Sequence, residues 1–376
     1  MTDYRSALLD WPGAVEAAAP DAGTAWHYGD PLGEQRRAVE TAVLIDRSNR
    51  DVLVVPGPDR LDWLHAIISQ HVARLAEGDS AESLVLSPNG HVEQHWSLTE
   101  LAFGPERPAL TPAAPAVWID TEPGTADEVL GYLLKMRFLK RVEPAVVTAD
   151  FAVLSVIGPR TATVLEAAGL PVPASNDKKA VPLPDVAGVG FVRPRGDGGV
   201  DLIVQRPRLQ ELATRLAEAG AVPAGSWAAA ALRIERRQPR LGLDTDHRTL
   251  PHEVGWIGSA VHLDKGCYRG QETVARVQNL GKPPRRLVLL HLSGDSEQLP
   301  AAGNPVERDG RTVGFVGTAA QHYELGPIAL AVVKRGVSLD DALTVAGHAA
   351  ALDPADAEVT YVEGFAGRAG PSQTSA

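Results

Sequence analysis

A strand–turn–helix unit occurs twice in this chain, and that repeat limits the possible folds more than any other feature. Residues 51–56, "DVLVVP", read as a buried strand that ends at Gly57-Pro58. Leu61, Leu64, Ile67 and Ile68 then recur at helical spacing, with Asp59 placed to cap the helix. Residues 151–169, "FAVLSVIGPRTATVLEAAG", follow the same plan through Gly158-Pro159 to a helix carrying Ala162, Leu165 and Ala168. Two such units in tandem predict two related α+β domains.

The segments around them fit that frame. Residues 82–101 read as a hairpin turning at Pro88-Asn89-Gly90, and 125–143 as an amphipathic helix with Val129, Leu133, Met136 and Leu139 on one stripe. A Pro-rich link spans 171–188, a turn follows within 195–205, and helices are expected at 207–220 and 226–235. After Lys282-Pro283-Pro284 the pattern changes to short strands with Gly and Asp turns, which predicts a small antiparallel barrel. The expected divisions are 1–148, 149–282, 283–363 and a disordered tail at 364–376.

Charge and cysteine usage narrow the chemistry. With 47 acidic against 36 basic residues the net charge is −11, which disfavours direct nucleic-acid binding. No apolar run approaches the ~20 residues of a membrane span, and the N-terminus lacks the basic start and apolar run of a secretory signal. A single cysteine makes no internal disulfide and cannot hold a zinc or iron–sulfur site alone, so no resident metal and a cytoplasmic setting are expected.

That cysteine sits in "DKGCYRGQE", Asp264 to Glu272. Cys267 lies between Lys265 and Arg269, just ahead of an expected helix "QETVARVQNL" that buries Val274, Val277 and Leu280. Cations and a helix start both favour thiolate over thiol. From Lys265 to Arg286 six Lys and Arg face one acid, Glu272, so an anionic ligand or partner is expected nearby. The competing reading is a small buried side chain that merely packs. "HVEQH", with His91 and His95 about 13 Å apart on a strand, and the loop of Asp244, Asp246, His247 and His252 are read as structural rather than metal-binding.

"KGCYRGQE" matches the K-G-C-[YF]-x-G-Q-E signature of the YgfZ-type folate-binding proteins, which resemble the glycine cleavage aminomethyltransferase in fold. The likeness extends over most of 40–350, through "VIGPRTATVL" and "ALRIERRQPRLGLDTDHRTLPHEVGW", with Arg233, Glu235, Gly242, Asp244, Pro251 and Glu253 in register. It implies three domains in a cloverleaf around a central channel that takes tetrahydrofolate, and a role in iron–sulfur cluster assembly or repair. Cys267, Lys265 and Arg269 then become the reactive group and its activators, with Gly266, Tyr268, Gly270, Gln271 and Glu272 completing the motif.

Departures from the pattern matter. The transferase turn that carries paired aspartates reads Gly90-His91-Val92-Glu93-Gln94, leaving Glu93 as a substitute acid. The folate-contacting turn keeps its carboxylates as Asp197 and Asp201, and Arg233 is a candidate partner for folate carboxylates. Glu235-Arg236-Arg237 adds charge where the family often has small residues. Implied partners are folate and iron–sulfur client or carrier proteins, with the chain a monomer or weak dimer; effects on transfer-RNA modification follow only through cluster-dependent enzymes. A folate-dependent aminomethyl- or methyltransferase and a non-catalytic folate-binding module both stay open.

Overall fold

The computed structural model describes residues 4–102, 115–174, 179–184, 189–294 and 298–357, so the tail expected at 364–376 lies outside the described residues. The architecture is α+β. Two sheets, of five and six strands, pack against helices and against each other, and a closed six-stranded antiparallel barrel follows.

The repeat read from sequence is visible in strand order. Asp51–Pro56 occupies the fourth place in a sheet that runs Ser80–Leu86, Val92–Ala102, Pro115–Thr121, Asp51–Pro56, Ala145–Val146. Phe151–Ile157 occupies the fourth place in the other, after Val181–Pro182, Gly190–Pro194 and Val200–Gln205, and before Val43–Asp46 and Val222–Ala224. The leading strands are exchanged. Val43–Asp46 precedes the first repeat but pairs with Phe151–Ile157, whereas Ala145–Val146 precedes the second but pairs with Asp51–Pro56. A division at residue 148 therefore does not follow the strand pairing, because the second sheet takes an inner strand from before residue 50.

The two Gly-Pro corners show why the exchange is tight. Gly57 (φ +122°) and Gly158 (φ +136°) both hold left-handed backbone. A Cβ on Gly57 would lie 2.2 Å from the Arg141 carbonyl oxygen, and one on Gly158 would lie 2.3 Å from that of Thr41. Each corner is pressed against the segment leading into the exchanged strand, which admits no side chain. Between the sheets, Trp118 meets Phe151 edge-on at 4.8 Å and Phe191 at 5.8 Å, joining the halves through aromatic contact.

Local details depart from the sequence expectation in four places. Helix Arg60–Ile67 forms, but Asp59 does not cap it with its side chain; that carboxylate receives the backbone N–H and guanidinium of Arg141. The helix expected over 125–143 is Ala126–Lys135, which buries Val129 and Leu133. Beyond it the chain turns, so Leu139 is 99% exposed rather than on the buried stripe. The motif helix Gln271–Leu280 buries Val274 and Val277 but leaves Leu280 exposed, where Gly281 (φ +66°) ends the helix. The barrel closes through Arg285–Leu292, Pro305–Arg308, Arg311–His322, Gly326–Lys334, Leu343–Val345 and His348–Leu352.

Candidate functional site

The thiol loop and the central cavity are separate places in this molecule. Cys267 is exposed, which removes the reading of a buried packing residue. Its neighbours are committed to holding the loop. Lys265 is buried and its ammonium donates to the carbonyls of His65 and Ile68, at the C-terminal end of helix Arg60–Ile67. Burial pushes Lys265 down to about 8. Tyr268 is buried with its ring 5.0 Å from that ammonium. Arg269 donates to Glu93 at 2.9 Å, and the Gln271 amide donates to the Lys265 carbonyl at 3.3 Å.

Gly270 (φ +82°) sits where a Cβ would come within 2.6 Å of the Ser87 carbonyl oxygen, so the loop is pinned against the hairpin turn at 87–91. Glu272 opens the motif helix, and Gly266 faces open space. Lys265 and Arg269, expected as activators of the thiol, have partners of their own. One ammonium is taken by two carbonyls and one guanidinium by a carboxylate, so both bind the loop to the first sheet and its helix. His65, His71 and His262 group beside the loop, the first pair T-shaped and the second tilted, with ring centroids 4.6 and 5.4 Å apart, a grouping that their scattered sequence positions do not announce. Among the described residues, no cluster of His, Cys, Asp or Glu has the geometry of a metal site.

Glu93, expected as the acid beside a bound ligand, is instead paired with Arg269 and is not among the residues lining the central cavity. Alongside the motif helix runs an open groove of about 950 Å³ that includes Asn89, His91, Arg276, Lys282, Lys334 and Arg335. No acid is among its lining residues. Of the six cations expected to attract an anion, only Arg276 and Lys282 face this groove; Arg285 is paired with Asp246 and Glu253, and Arg286 with the carbonyls of Asp356 and Val337.

The central cavity, of about 130 Å³, forms where the second sheet, helix Ser226–Glu235 and the barrel meet. Of the two acids expected to read the pterin, Asp197 lines this cavity and Asp201 lies behind its wall, and both are occupied. Asp201 is buried and accepts from Ser155 at 2.6 Å, Arg193 at 3.0 Å and Arg195 at 2.9 Å. Asp197 accepts from Arg195 and from the Gly199 N–H, with Arg236 at 3.2 Å. Burial, the largest single influence, would raise both carboxyls, but their partners together, Arg195 foremost with Arg236 at Asp197 and Arg193 at Asp201, hold them below the ordinary carboxylate range. Arg233, the candidate partner for folate carboxylates, instead bonds Asp244, the Gln238 carbonyl and Thr318, which ties helix Ser226–Glu235 to the barrel.

Behind these sits a second tier of acids that sequence reasoning missed. Asp120 holds Arg50 and Arg193, while Glu122 holds Arg50 and Arg240. Burial would raise Glu122, but Arg50 and Arg240 keep it down at about 2. No local signal marks these acids in the sequence, since their partners Arg50, Arg193 and Arg240 lie in three separate segments.

The profile of the GCVT N-terminal domain matches residues 24–265, well over half of the chain. The chain belongs to that family. A putative chloroplastic transferase of Arabidopsis thaliana is 24% identical over 319 residues, covering 81% of this chain and 68% of that protein. The aminomethyltransferase of Symbiobacterium thermophilum is 28% identical over 311 residues, 78% of each chain. Among solved structures, the glycine cleavage system aminomethyltransferase T from Bartonella henselae superposes with a TM-score of 0.78 at 19% identity, covering 94% of this chain and 96% of that one. The GCVT-type fold follows from this likeness. No helix among the described residues is long and apolar enough to cross a membrane.

Tetrahydrofolate is the ligand the family implies, and its pterin presents amino and ring N–H donors along one edge. The donor set here does not fit that edge. The carboxylates that line the cavity already accept from protein donors, Asp197 and Asp21 from arginines and Asp46 from Ser6 and the Ser48 N–H.

Proposed function

We propose that this GCVT-family chain supports assembly or repair of iron–sulfur clusters, with Cys267 as the group offered to a client. The observation that carries this reading is the exposed thiol on a loop whose other motif residues are engaged in fixing its shape. A solvent-facing thiol can bind an iron of a client cluster through its sulfur, losing its proton to solvent as the sulfur–iron bond forms. One thiolate does not hold a cluster, so the client supplies the remaining ligands. The cation-lined groove beside the motif helix offers an acidic client face a place to rest.

The names of the relatives favour a second reading, a folate-dependent aminomethyltransferase. Against it stands Glu93, the expected working acid, which is paired with Arg269 away from the cavity. The test is recovery of an iron–sulfur enzyme after oxidative damage, in cells lacking this chain and complemented with wild type or Cys267→Ser. The thiol reading expects wild type to restore activity and C267S to fail at equal protein level. Full recovery with C267S would overturn it.

A further inference from the structure

We infer that the central cavity is an anion site, in which Arg47 and Arg236 receive a carboxylate of the bound ligand. The inference concerns the cavity alone and does not depend on the role of the thiol. Six arginines line the cavity, Arg47, Arg50, Arg195, Arg233, Arg236 and Arg240, against three acids, Asp21, Asp46 and Asp197. Asp120, Glu122, Asp201 and Asp244 complete the ion pairs from behind, outside the lining. Carboxylates at the back orient guanidiniums that face inward, an arrangement preorganised for negative charge.

Two of the six are the least engaged. The Arg47 guanidinium makes no hydrogen bond among the described residues; its nearest acid, Asp201, is 3.7 Å away and already accepts from Ser155, Arg193 and Arg195. Its side chain stays 29% exposed, at the cavity wall. Arg236 meets Asp197 with one nitrogen at 3.2 Å and is 34% exposed. Burial, with Arg50 and Arg195 close by, pushes Arg47 down to about 9. A guanidinium stays protonated in proteins, so this cation is short of counter-charge, and an incoming carboxylate supplies it.

The size of the cavity agrees. Whole cofactors and drug-sized ligands fill sites of roughly 300–1,000 Å³, whereas about 130 Å³ admits a small acid or the acidic end of something longer. The ligand class is thus a carboxylic acid, either free or as the terminus of a larger molecule such as a folate entering with its glutamyl end. That is the reverse of a pterin-first pose.

Calorimetric titration of the full chain with three probes separates the cases. Glutarate stands for a free small diacid, p-aminobenzoylglutamate for the acidic half of a folate, and 6-hydroxymethylpterin for the donor edge without a carboxylate. The expected result is binding of one or both carboxylates, no binding of the pterin, and weakening of at least tenfold in Arg47→Gln and in Arg236→Gln. Glutarate binding as well as p-aminobenzoylglutamate assigns a free acid; p-aminobenzoylglutamate alone assigns the longer ligand. Arg47→Gln should fold, since Asp201 keeps three other partners, and its thermal midpoint should equal or exceed that of wild type. Binding of the pterin unaffected by both variants overturns the inference while leaving a folate reading intact. Failure of all three probes at millimolar concentration overturns it as well.

Discussion

The thiol loop and the central cavity solve opposite problems with the same ion-pair chemistry. In the loop the cations are engaged, Lys265 on two carbonyls and Arg269 on Glu93, while the thiol stands exposed to solvent. In the cavity the carboxylates are used up, leaving arginine donors turned inward. Proximity in sequence to a cation therefore says little about which group that cation serves. What decides it is burial: a buried ammonium or carboxylate takes whatever partner satisfies it, because an unpaired buried charge costs several kcal/mol.

The contrast can be broken first at Asp201. Asp201→Ala removes the shared acceptor of Arg193 and Arg195 and leaves buried guanidiniums facing one another, so a loss of about 3–5 kcal/mol is expected from urea denaturation. Lys265→Met strands the carbonyls of His65 and Ile68 without a donor and should cost about 1–3 kcal/mol, while loosening the loop enough to raise proteolysis near residue 267. The same lysine gives a pH signature. Its folded value lies near 8 against about 10.4 unfolded. Between those values the unfolded chain binds the proton that the folded chain has released. Stability should therefore rise as pH increases through that window, and the rise should vanish in Lys265→Met.

Smaller effects sharpen the comparison. Arg269→Ala breaks a pair in which Arg269 and Glu93 are 38% and 36% exposed, so about 0.2–1 kcal/mol is the expected loss. If Arg269 instead governed the thiol, its removal would slow alkylation of Cys267 far more than it lowers stability. Arg47→Gln should fall at the bottom of the scale for stability, at or slightly above wild type, since the lost cation made no hydrogen bond and sat beside Arg50 and Arg195.

Much of the scaffold was legible from periodicity. The repeated strand–Gly-Pro–helix plan, the hairpin at Pro88-Asn89-Gly90 and the barrel after Pro284 all leave local signals in apolar spacing and turn residues. The strand exchange was not legible, because Val43–Asp46 and Ala145–Val146 are short and carry no mark of which sheet they join. Helix ends were missed where tertiary contacts compete, as when Asp59 turns from capping to Arg141, or Leu139 lies beyond the last buried turn. For the site, the sequence singled out Cys267, Asp197, Asp201 and Arg233 by position but not their partners. The partners of the two aspartates, Arg47, Arg193, Arg195 and Arg236, come from segments up to about two hundred residues apart, and ion pairing between them has no sequence period.

The division between a free thiol and an occupied set of motif cations is tested most directly by maleimide labelling of Cys267 in the native chain, with and without p-aminobenzoylglutamate, and in Arg269→Ala. The account predicts rapid labelling without denaturant, at a rate unchanged by the ligand and little changed by R269A. Labelling that requires unfolding, or that the ligand blocks, would show a thiol buried in or joined to the cavity and contradict the separation of the two sites.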